Sequence, residues 1–220
     1  PINGYIESDS TAFLVPEFGY NSMLSSDLAV GVSVYGNGGL NTDYPQGSFQ
    51  CPTPTGTFVP ANILCGGGEL GVDLMQLIIA PTVAYKLNAQ HSIGASLLLG
   101  YQRFEAKGLQ AFGALSSDPS NPTNMGADSS TGFGLRVGYQ GRLSDMLTIG
   151  ASYSTKMSMG EFDKYRGLFA ENGGFDIPSN FSIGVAFMPT PDWTIALDVG
   201  RINYSDARSV SNPMATQAPL

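Results

Sequence analysis

The chain has 220 residues, a formal net charge of −8 and only 13% charged residues, about half the share of a soluble domain. The acidic balance argues against nucleic acid as a partner, because nucleic-acid-binding proteins carry clustered Lys and Arg. No run approaches the roughly 18 apolar residues that a membrane helix needs. If this chain meets a bilayer it should therefore do so as a closed β-barrel, since lipid tolerates no open sheet edge.

The first part of the chain alternates apolar with small or polar residues, as a strand with two different faces does. Strands are predicted over residues 11–24 and 28–37, followed by a polar loop from about 40 to 68. That loop holds the only two cysteines, Cys51 and Cys65. An even pair in an exported protein favours a disulfide over a metal site, which would need more ligands; two free thiols are the alternative.

The strongest pattern covers residues 69–107, two strands joined by the polar turn Asn88–His91. One face of each strand is apolar and carries a tyrosine, Tyr85 near the turn and Tyr101 at the far end, while the other face is mostly small or polar. An aromatic-edged apolar face of this kind predicts a transmembrane β-hairpin. The apolar phase changes near Leu74, which predicts a β-bulge there.

Four further strands are predicted in the second half of the chain, with long loops at about 108–130 and 158–180. Eight strands with short turns and long loops in alternation predict an all-β, antiparallel transmembrane β-barrel, its turns in the periplasm and its loops outside. A soluble β-sandwich is the alternative, but its second face should carry charges rather than Gly, Ser and Ala. The four strands cover residues 133–140, 147–154, 181–187 and 193–200.

The alternation also predicts which side chains face lipid and which face the lumen. The lipid-facing set is Ile79, Val83, Leu97, Leu135, Ile149, Val185 and Leu197. The inward set is Ser96, Gly134, Arg136, Ser152, Gly184 and Asp198. Polar members of the inward set are expected to fill the lumen with a hydrogen-bonding network.

A ligand site is predicted where basic and apolar residues meet at the outer end of one strand. Arg103 and Lys107 lie near Leu98 and Phe104 there, a mixture that suits an amphipathic molecule. Replacing both cations by Gln is expected to weaken binding of an amphipathic carboxylate at least about tenfold. Snorkelling of each cation at the membrane edge is the alternative.

Catalysis, metal binding and cofactor binding are not expected. The sequence has no hydrolase elbow, P-loop or CxxC motif, and its single histidine, His91, lies in a turn. An oxygen-rich loop lacks the ligand spacing and glycine of a calcium loop. Its members are Asp118, Asn121, Asn124 and Asp128.

Several segments resemble the FadL/TodX family of outer-membrane transporters of long-chain fatty acids and hydrocarbons. The resemblance extends from about residue 13 to 204. Each motif is moderately specific alone, and their occurrence in this order makes the resemblance strong. The motifs are Val83–Asn88, Gly38–Tyr44, Ser154–Lys156, Phe162–Gly167 and Phe175–Pro178.

The resemblance implies a 14-stranded barrel plugged by an N-terminal hatch, of which these strands would be the second to ninth. Residues 1–220 would then be a segment of one barrel domain without the hatch and the terminal strands. Substrate would enter from outside, reach an internal pocket and leave sideways beside a kinked third strand. Gly36, Gly38 and Gly39 correspond to that kink, and glycine accepts unusual dihedrals without a side chain to block passage. The family's carboxylate-binding cation would be Arg103 or Lys107, and the resemblance does not decide between them.

The predicted function is passive transport of long-chain fatty acids or other hydrophobic small molecules through the bacterial outer membrane, by a monomer in contact with its lipids. A structural or adhesive barrel that binds partners through acidic outer loops is the alternative. No signal peptide is recognisable, so the chain is expected to be an excerpt whose signal has been removed.

Overall fold

A computed structural model describes residues 5–47 and 49–211. The expectation that residues 1–220 form a segment of one barrel domain reaches outside these ranges. Within them no helix is long and apolar enough to cross a membrane.

Antiparallel strands dominate the described chain, which confirms the all-β prediction. The strands are β1 (Glu17–Met23), β2 (Leu28–Tyr44), β3 (Phe49–Pro52), β4 (Phe58–Ala61), β5 (Leu70–Lys86), β6 (His91–Lys107), β7 (Asp128–Arg142), β8 (Leu147–Ser154), β9 (Ser158–Met159), β10 (Asn180–Thr190) and β11 (Trp193–Ile202). The helices are short: α1 (Ala170–Gly173), α2 (Arg208–Ser211) and 3-10 helices at Gln110–Leu115, Asp163–Tyr165 and Tyr204–Asp206.

Eight of these strands form one continuous sheet in the order β1-β2-β5-β6-β7-β8-β10-β11, and β9 pairs with β7. A separate hairpin, β3–β4, lies in the connection between β2 and β5. No pairing joins β1 to β11 among the described residues, so the sheet is open, and β11 is exposed along its whole length. The sheet therefore has the form of a barrel wall rather than a closed barrel.

Short turns lie at one end of the sheet, which we call the turn end, and long connections lie at the other, the loop end. Turn chemistry fixes the turn end: the Asn88 side-chain oxygen accepts hydrogen bonds from the backbone N–H groups of Gln90 (2.8 Å) and His91 (2.9 Å). The Ser25 hydroxyl does the same for Leu28 (3.1 Å). Such local bonds favour tight reversals and so hold the hairpins in register.

The predicted β-bulge near Leu74 is wrong. β5 keeps one register against β6 along its length, and the register shift lies in β2 instead, between Gly36 and Gly38. The predicted end of this strand at residue 37 is also wrong, because β2 continues to Tyr44 by pairing with the first half of β5. Leu74 and Ile78 both lie on the inner face. The apolar residues therefore move from one face of β5 to the other along the strand, and no bulge is needed to explain the pattern.

The third long connection folds inward rather than extending outside as predicted. We call residues 155–179 the inward segment. Its β9 pairs with β7 at Gly132 and Phe133, and Met157 forms an antiparallel bridge with Ile177. The segment therefore lies against the inner face of β5, β6 and β7 in the loop-end half of the sheet.

Candidate functional site: the inner wall and the β2 bulge

Two apolar clusters line the inner face of the loop-end half. The lower cluster consists of Ile78, Ala80, Leu98, Met157, Met159 and Ile177, with Tyr35 packed against it. The upper cluster consists of Leu74, Phe104, Ala106, Phe162 and Tyr165, with Phe169 and Phe175 among its partly buried neighbours. Each cluster joins strand residues to residues of the inward segment, so the inner face of this half of the wall is apolar.

Aromatic packing defines the upper cluster. Phe104 meets Tyr165 edge-on at 4.8 Å between ring centroids and Phe169 at 4.7 Å. The Tyr165 hydroxyl accepts a hydrogen bond from the Ala106 N–H (3.0 Å) and donates one to the Gly126 carbonyl (2.8 Å). Burial raises the pKa of Tyr165 above its usual value, so the phenol stays protonated and keeps its donor.

A polar band separates the two clusters. Gln102 is fully buried and donates to the Ser130 hydroxyl (2.9 Å) and the Phe175 carbonyl (3.0 Å). Its side-chain oxygen accepts from Gln76 (3.0 Å), which in turn accepts from Asn37 (3.1 Å). The band thus runs from the bulge of β2 to the inward segment, and each buried amide has the partners that burial requires.

Glycines on the inner face allow the inward segment to approach the sheet. A Cβ on Gly132 would overlap the Ser158 carbonyl oxygen, and one on Gly134 would lie 2.7 Å from Met157 Cγ. Both distances are shorter than real Cβ atoms show, so a side chain at either position would push the segment away. Because these inward-facing positions of β7 are glycines, the inward segment can pack on the sheet as a second layer.

Arg136 lies just below the lower cluster, in a cross-strand row with Ser96 and Ser154. It is half-buried. Its Nε donates to the Ser154 hydroxyl and its Nη2 to the Tyr35 hydroxyl, each at 2.9 Å. The guanidinium also lies 5.8 Å from the Tyr35 ring centroid. The expected inward position of Arg136 is therefore confirmed, within a network of neutral oxygens.

The structure does not bring the four predicted ligand residues together. Leu98 and Phe104 are buried on the inner face, but Arg103 and Lys107 share the parity of Tyr101 and lie on the outer face. Arg103 is paired with Asp73 and, at 3.1 Å, with Glu105. The expected greasy wall with a cation at its end is thus split between two faces of one strand.

Lys107 also has a carboxylate partner, since its Nζ lies 2.9 Å from Glu69. The cavity beside it, about 150 Å³, is lined mainly by polar residues, including Asp43, Asp73 and Glu105. A greasy chain gains little in such surroundings. Strand alternation in the sequence did carry the facing of these two cations, because both lie an even number of residues from Tyr101 on the outer face and an odd number from Leu98 and Phe104.

The three glycines predicted at the lateral opening lie where the sheet changes register. β1 pairs with β2 only as far as Tyr35, and the Gly36 N–H then donates to the Pro16 carbonyl (3.0 Å). The next backbone bond to that edge of β2 is from Asp9 to Asp43 (2.7 Å). Between them no described residue bonds to the edge, which leaves a gap beside Gly38 and Gly39.

The predicted disulfide is present. Cys51 and Cys65 are joined with an S–S distance of 2.13 Å and a Cα–Cα distance of 5.5 Å. Asn62, within this closed loop, is buried and donates to the Gly108 carbonyl (3.0 Å). The disulfide closes the loop that contains β4, and the Asn62 hydrogen bond holds this loop beside the end of β6.

The oxygen-rich loop uses its side chains within the protein. Asp118 accepts hydrogen bonds from Arg166 (2.6 Å) and Asn121 (2.8 Å), Asn124 from the Gly108 N–H, and Asp128 from the Lys164 N–H. The Arg166 and Asn121 bonds hold the pKa of Asp118 below its usual value. Asp118 and Asp128 thus tie the loop to the inward segment, and Asn124 ties it to the residue that follows β6.

Lys156 and His91 also have close partners. Lys156 pairs with Asp176 across the base of the inward segment (2.7 Å), and that hydrogen bond raises the pKa of the lysine. At the turn end, His91 Nδ1 lies 2.6 Å from the Tyr139 hydroxyl. The Lys156 contact closes the base of the inward segment, and the His91 contact joins the neighbouring strands β6 and β7.

An open antiparallel wall, apolar outside at its turn end and apolar inside at its loop end, is the architecture of a membrane β-barrel. The sequence matches the family described as outer membrane protein transport protein (OMPP1/FadL/TodX) over residues 7–218. The chain therefore belongs to this family of bacterial outer-membrane proteins, as the motifs indicated. No curated protein sequence matches it.

Solved structures share the fold at low sequence identity. The Pseudomonas putida toluene transporter TodX matches 90% of this chain and 56% of its own, with TM-score 0.66 and 21% identity. The match to the Ralstonia pickettii toluene transporter TbuX covers 83% of this chain and 53% of that chain, with TM-score 0.60 and 18% identity. The match to a Pseudomonas aeruginosa FadL homologue covers 93% of this chain and 58% of that chain, with TM-score 0.57 and 12% identity. The chain thus spans about half the length of these barrels.

Proposed function

We propose that the full-length protein carries hydrophobic small molecules passively across the outer membrane. Its family consists of outer-membrane transport proteins, and two proteins of similar fold are toluene transporters. Long-chain fatty acids and hydrocarbons are the substrate classes proposed for this chain.

The apolar inner wall is the observation that carries this proposal. A barrel that passes water-soluble solutes has a polar lumen. Here the inner face at the loop end presents Leu74, Ile78, Leu98 and Phe104, while the outer face at the same height presents charges such as Asp73. The inward segment covers these residues, so an apolar passenger that displaces part of this segment would contact an apolar wall.

We further propose that the passenger leaves through the gap beside the bulge of β2. The gap lies next to the polar band that links Asn37 to Gln102, so the exit borders both clusters. Glycines on both sides of Asn37 leave the opening without large side chains. Exit there would release an apolar molecule into lipid without passage through water.

Uptake by whole cells tests the function and the exit together. The full-length protein is produced in a strain that lacks its own hydrophobe transporter, and uptake of radiolabelled toluene and dodecanol is measured. We expect uptake to rise above that of the empty strain, whereas uptake of a sugar of similar size should not change. Sugar uptake without hydrophobe uptake would contradict the proposal.

Deletion of Asn37 tests the exit separately. The partners of Gly36 and Gly38 are Leu77 and Gln76, so removing the extra residue makes the register of β2 uniform. We expect uptake to fall while dodecanol binding by the purified protein persists, because only the way out is altered. Deleting Thr55, at the tip of the β3–β4 hairpin, is the matched control. Equal uptake by the Asn37 deletion and the parent would rule out this exit.

The roles of Arg103 and Lys107 toward a carboxylate remain a prediction. Each cation already has a carboxylate partner, so a fatty acid would have to displace Asp73 or Glu69. Gln substitution of both cations, followed by binding of a fatty acid and of an alcohol of equal length, measures their contribution.

A further inference from the structure

Arg136 differs from the paired cations of the chain in the partners it has. Among the described residues no Asp or Glu lies within ion-pair distance of it, and its two hydrogen bonds go to the hydroxyls of Tyr35 and Ser154. The cations that do pair with carboxylates are Arg103, Lys107, Lys156, Arg166 and Arg208.

The position of Arg136 makes this lack of an anion consequential. Its side chain is half-buried on the inner face, where the lower apolar cluster ends and a row of small hydroxyl side chains begins. Ser96 of that row is bonded to Thr82 (2.8 Å). A charge in partly dry surroundings is poorly compensated by neutral hydroxyls, and an anion with two acceptor oxygens is its best partner.

We propose that Arg136 binds the anionic end of an amphipathic ligand, with a single carboxylate as the preferred group. The carboxylate takes the place of the Tyr35 hydroxyl on the guanidinium, and the Ser154 bond keeps the side chain in position. The inference rests on the proposed function, because the ligand reaches Arg136 along the inner wall.

The surroundings of Arg136 define the rest of the ligand. Ile78, Leu98 and Met157 of the lower cluster lie on the loop-end side of Arg136 and are at most 2% exposed. An apolar chain would extend in that direction by displacing the inward segment from the sheet. Met157 and Met159 cover this part of the wall, and methionine is flexible enough to repack around a chain. The site thus distinguishes a fatty acid from a hydrocarbon by one charge at the inner end.

Binding of two probes of equal chain length to the full-length protein in lipid nanodiscs tests the proposal. Dodecanoate carries the carboxylate at neutral pH, and dodecanol does not. Arg136→Gln should weaken dodecanoate binding at least about tenfold, as loss of a charge-assisted bond does, and change dodecanol binding little. Arg142→Gln, an exposed cation near the turn end of the same strand, is the matched control and should retain the preference for dodecanoate. The double variant Arg103→Gln, Lys107→Gln tests the alternative site.

Tyr35→Phe keeps the test decisive even if Arg136→Gln fails to fold. Removing the hydroxyl takes away the competitor for the guanidinium, so dodecanoate should bind at least as tightly as to the parent. A loss of the dodecanoate preference in Tyr35→Phe would overturn the proposal. So would an unchanged preference in Arg136→Gln, or a preference lost only in the double variant of Arg103 and Lys107.

The readouts separate this inference from the proposed function. If the parent binds neither probe, the proposed function fails. If the parent binds dodecanol and Arg136→Gln weakens both probes equally, transport of hydrophobes stands and Arg136 is only a tie between β7 and β2.

Discussion

The two halves of the wall reverse the polarity of their faces. In the turn-end half, Val83 and Leu97 are exposed on the outer face, and the inner face carries small residues such as Ser96 and Gly94. In the loop-end half, Leu98 and Phe104 are buried on the inner face, and the outer face carries ion pairs such as Lys107–Glu69. One pair of strands, β5 and β6, makes both halves without a register shift between them.

The reversal follows from what each surface contacts. Lipid surrounds the turn-end half, so its outer face must be apolar, whereas the strands continue past the apolar band at the loop end, where charges are solvated. Inside, the inward segment covers the loop-end half and supplies apolar partners such as Met157 and Phe162. An apolar residue on a barrel strand therefore indicates the lumen or the lipid only once its height is known.

Truncating a side chain on the inner face at the loop end should have the largest effect. Leu98 is 2% exposed within the lower cluster, so Leu98→Ala should lower the free energy of unfolding by about 2–5 kcal/mol through lost contacts and a cavity. Urea unfolding in micelles measures the change. Leu99→Ala, one residue along on the outer face, is the control and should cost less. Equal losses would mean that the inner wall is not packed.

A charge on the outer face should be costly only in the turn-end half. Leu97→Arg places a cation near the middle of the apolar band and should cost roughly 2–4 kcal/mol. Thr131→Arg, on the outer face of the loop-end half, should cost about 1 kcal/mol or less. Folding yield in lipid vesicles and urea titration report both. If Ser96→Arg were worse tolerated than Leu97→Arg, the facing of β6 would be reversed.

The disulfide should stabilise the loop end without affecting the wall. Cys51 and Cys65 close a loop of about 15 residues, worth on the order of 3 kcal/mol in the chain-entropy model. The double Ser variant should therefore lose protection from proteolysis in the β3–β4 region, while the strands of the main sheet stay folded. Reduction of the parent should reproduce the loss and leave the variant unchanged. Two free thiols in native protein would contradict the assignment.

The smallest expected effect is a pH dependence of the contact between the outer loop and the inward segment. Because the pKa of Asp118 is lowered by Arg166, the stabilisation is complete above the usual carboxyl pKa and is lost as pH falls through the lowered value. Hydrogen exchange at Gly167, corrected for intrinsic rates, should thus rise in acid. Asp118→Asn should remove that dependence, whereas Asp145→Asn at the turn end should not. Identical acid profiles for both variants would exclude the ion pair as its cause.

Much of the fold was predictable because strand alternation and turn chemistry are local. The hairpin signal over 69–107 identified β5 and β6, and the alternation of short turns and long loops identified the eight-stranded sheet order. The loop cysteines and the family motifs were also correct as predicted. These features depend on residues close in sequence, so the order of residue types is enough to specify them.

Long-range contacts decided the rest. The facing of Arg103 and Lys107 is not among these features: both lie at odd separations from Leu98 and Phe104, so strand alternation alone puts them on the opposite face, against the predicted ligand site. The inward segment could not be predicted from its own residues, since the space it occupies is made by Gly132 and Gly134 of another strand. The order of residue types was thus enough to identify the eight strands of the main sheet and their connections, apart from the second half of β2. Contacts between distant segments fill the loop-end lumen with apolar side chains and give Arg136 its neutral partners.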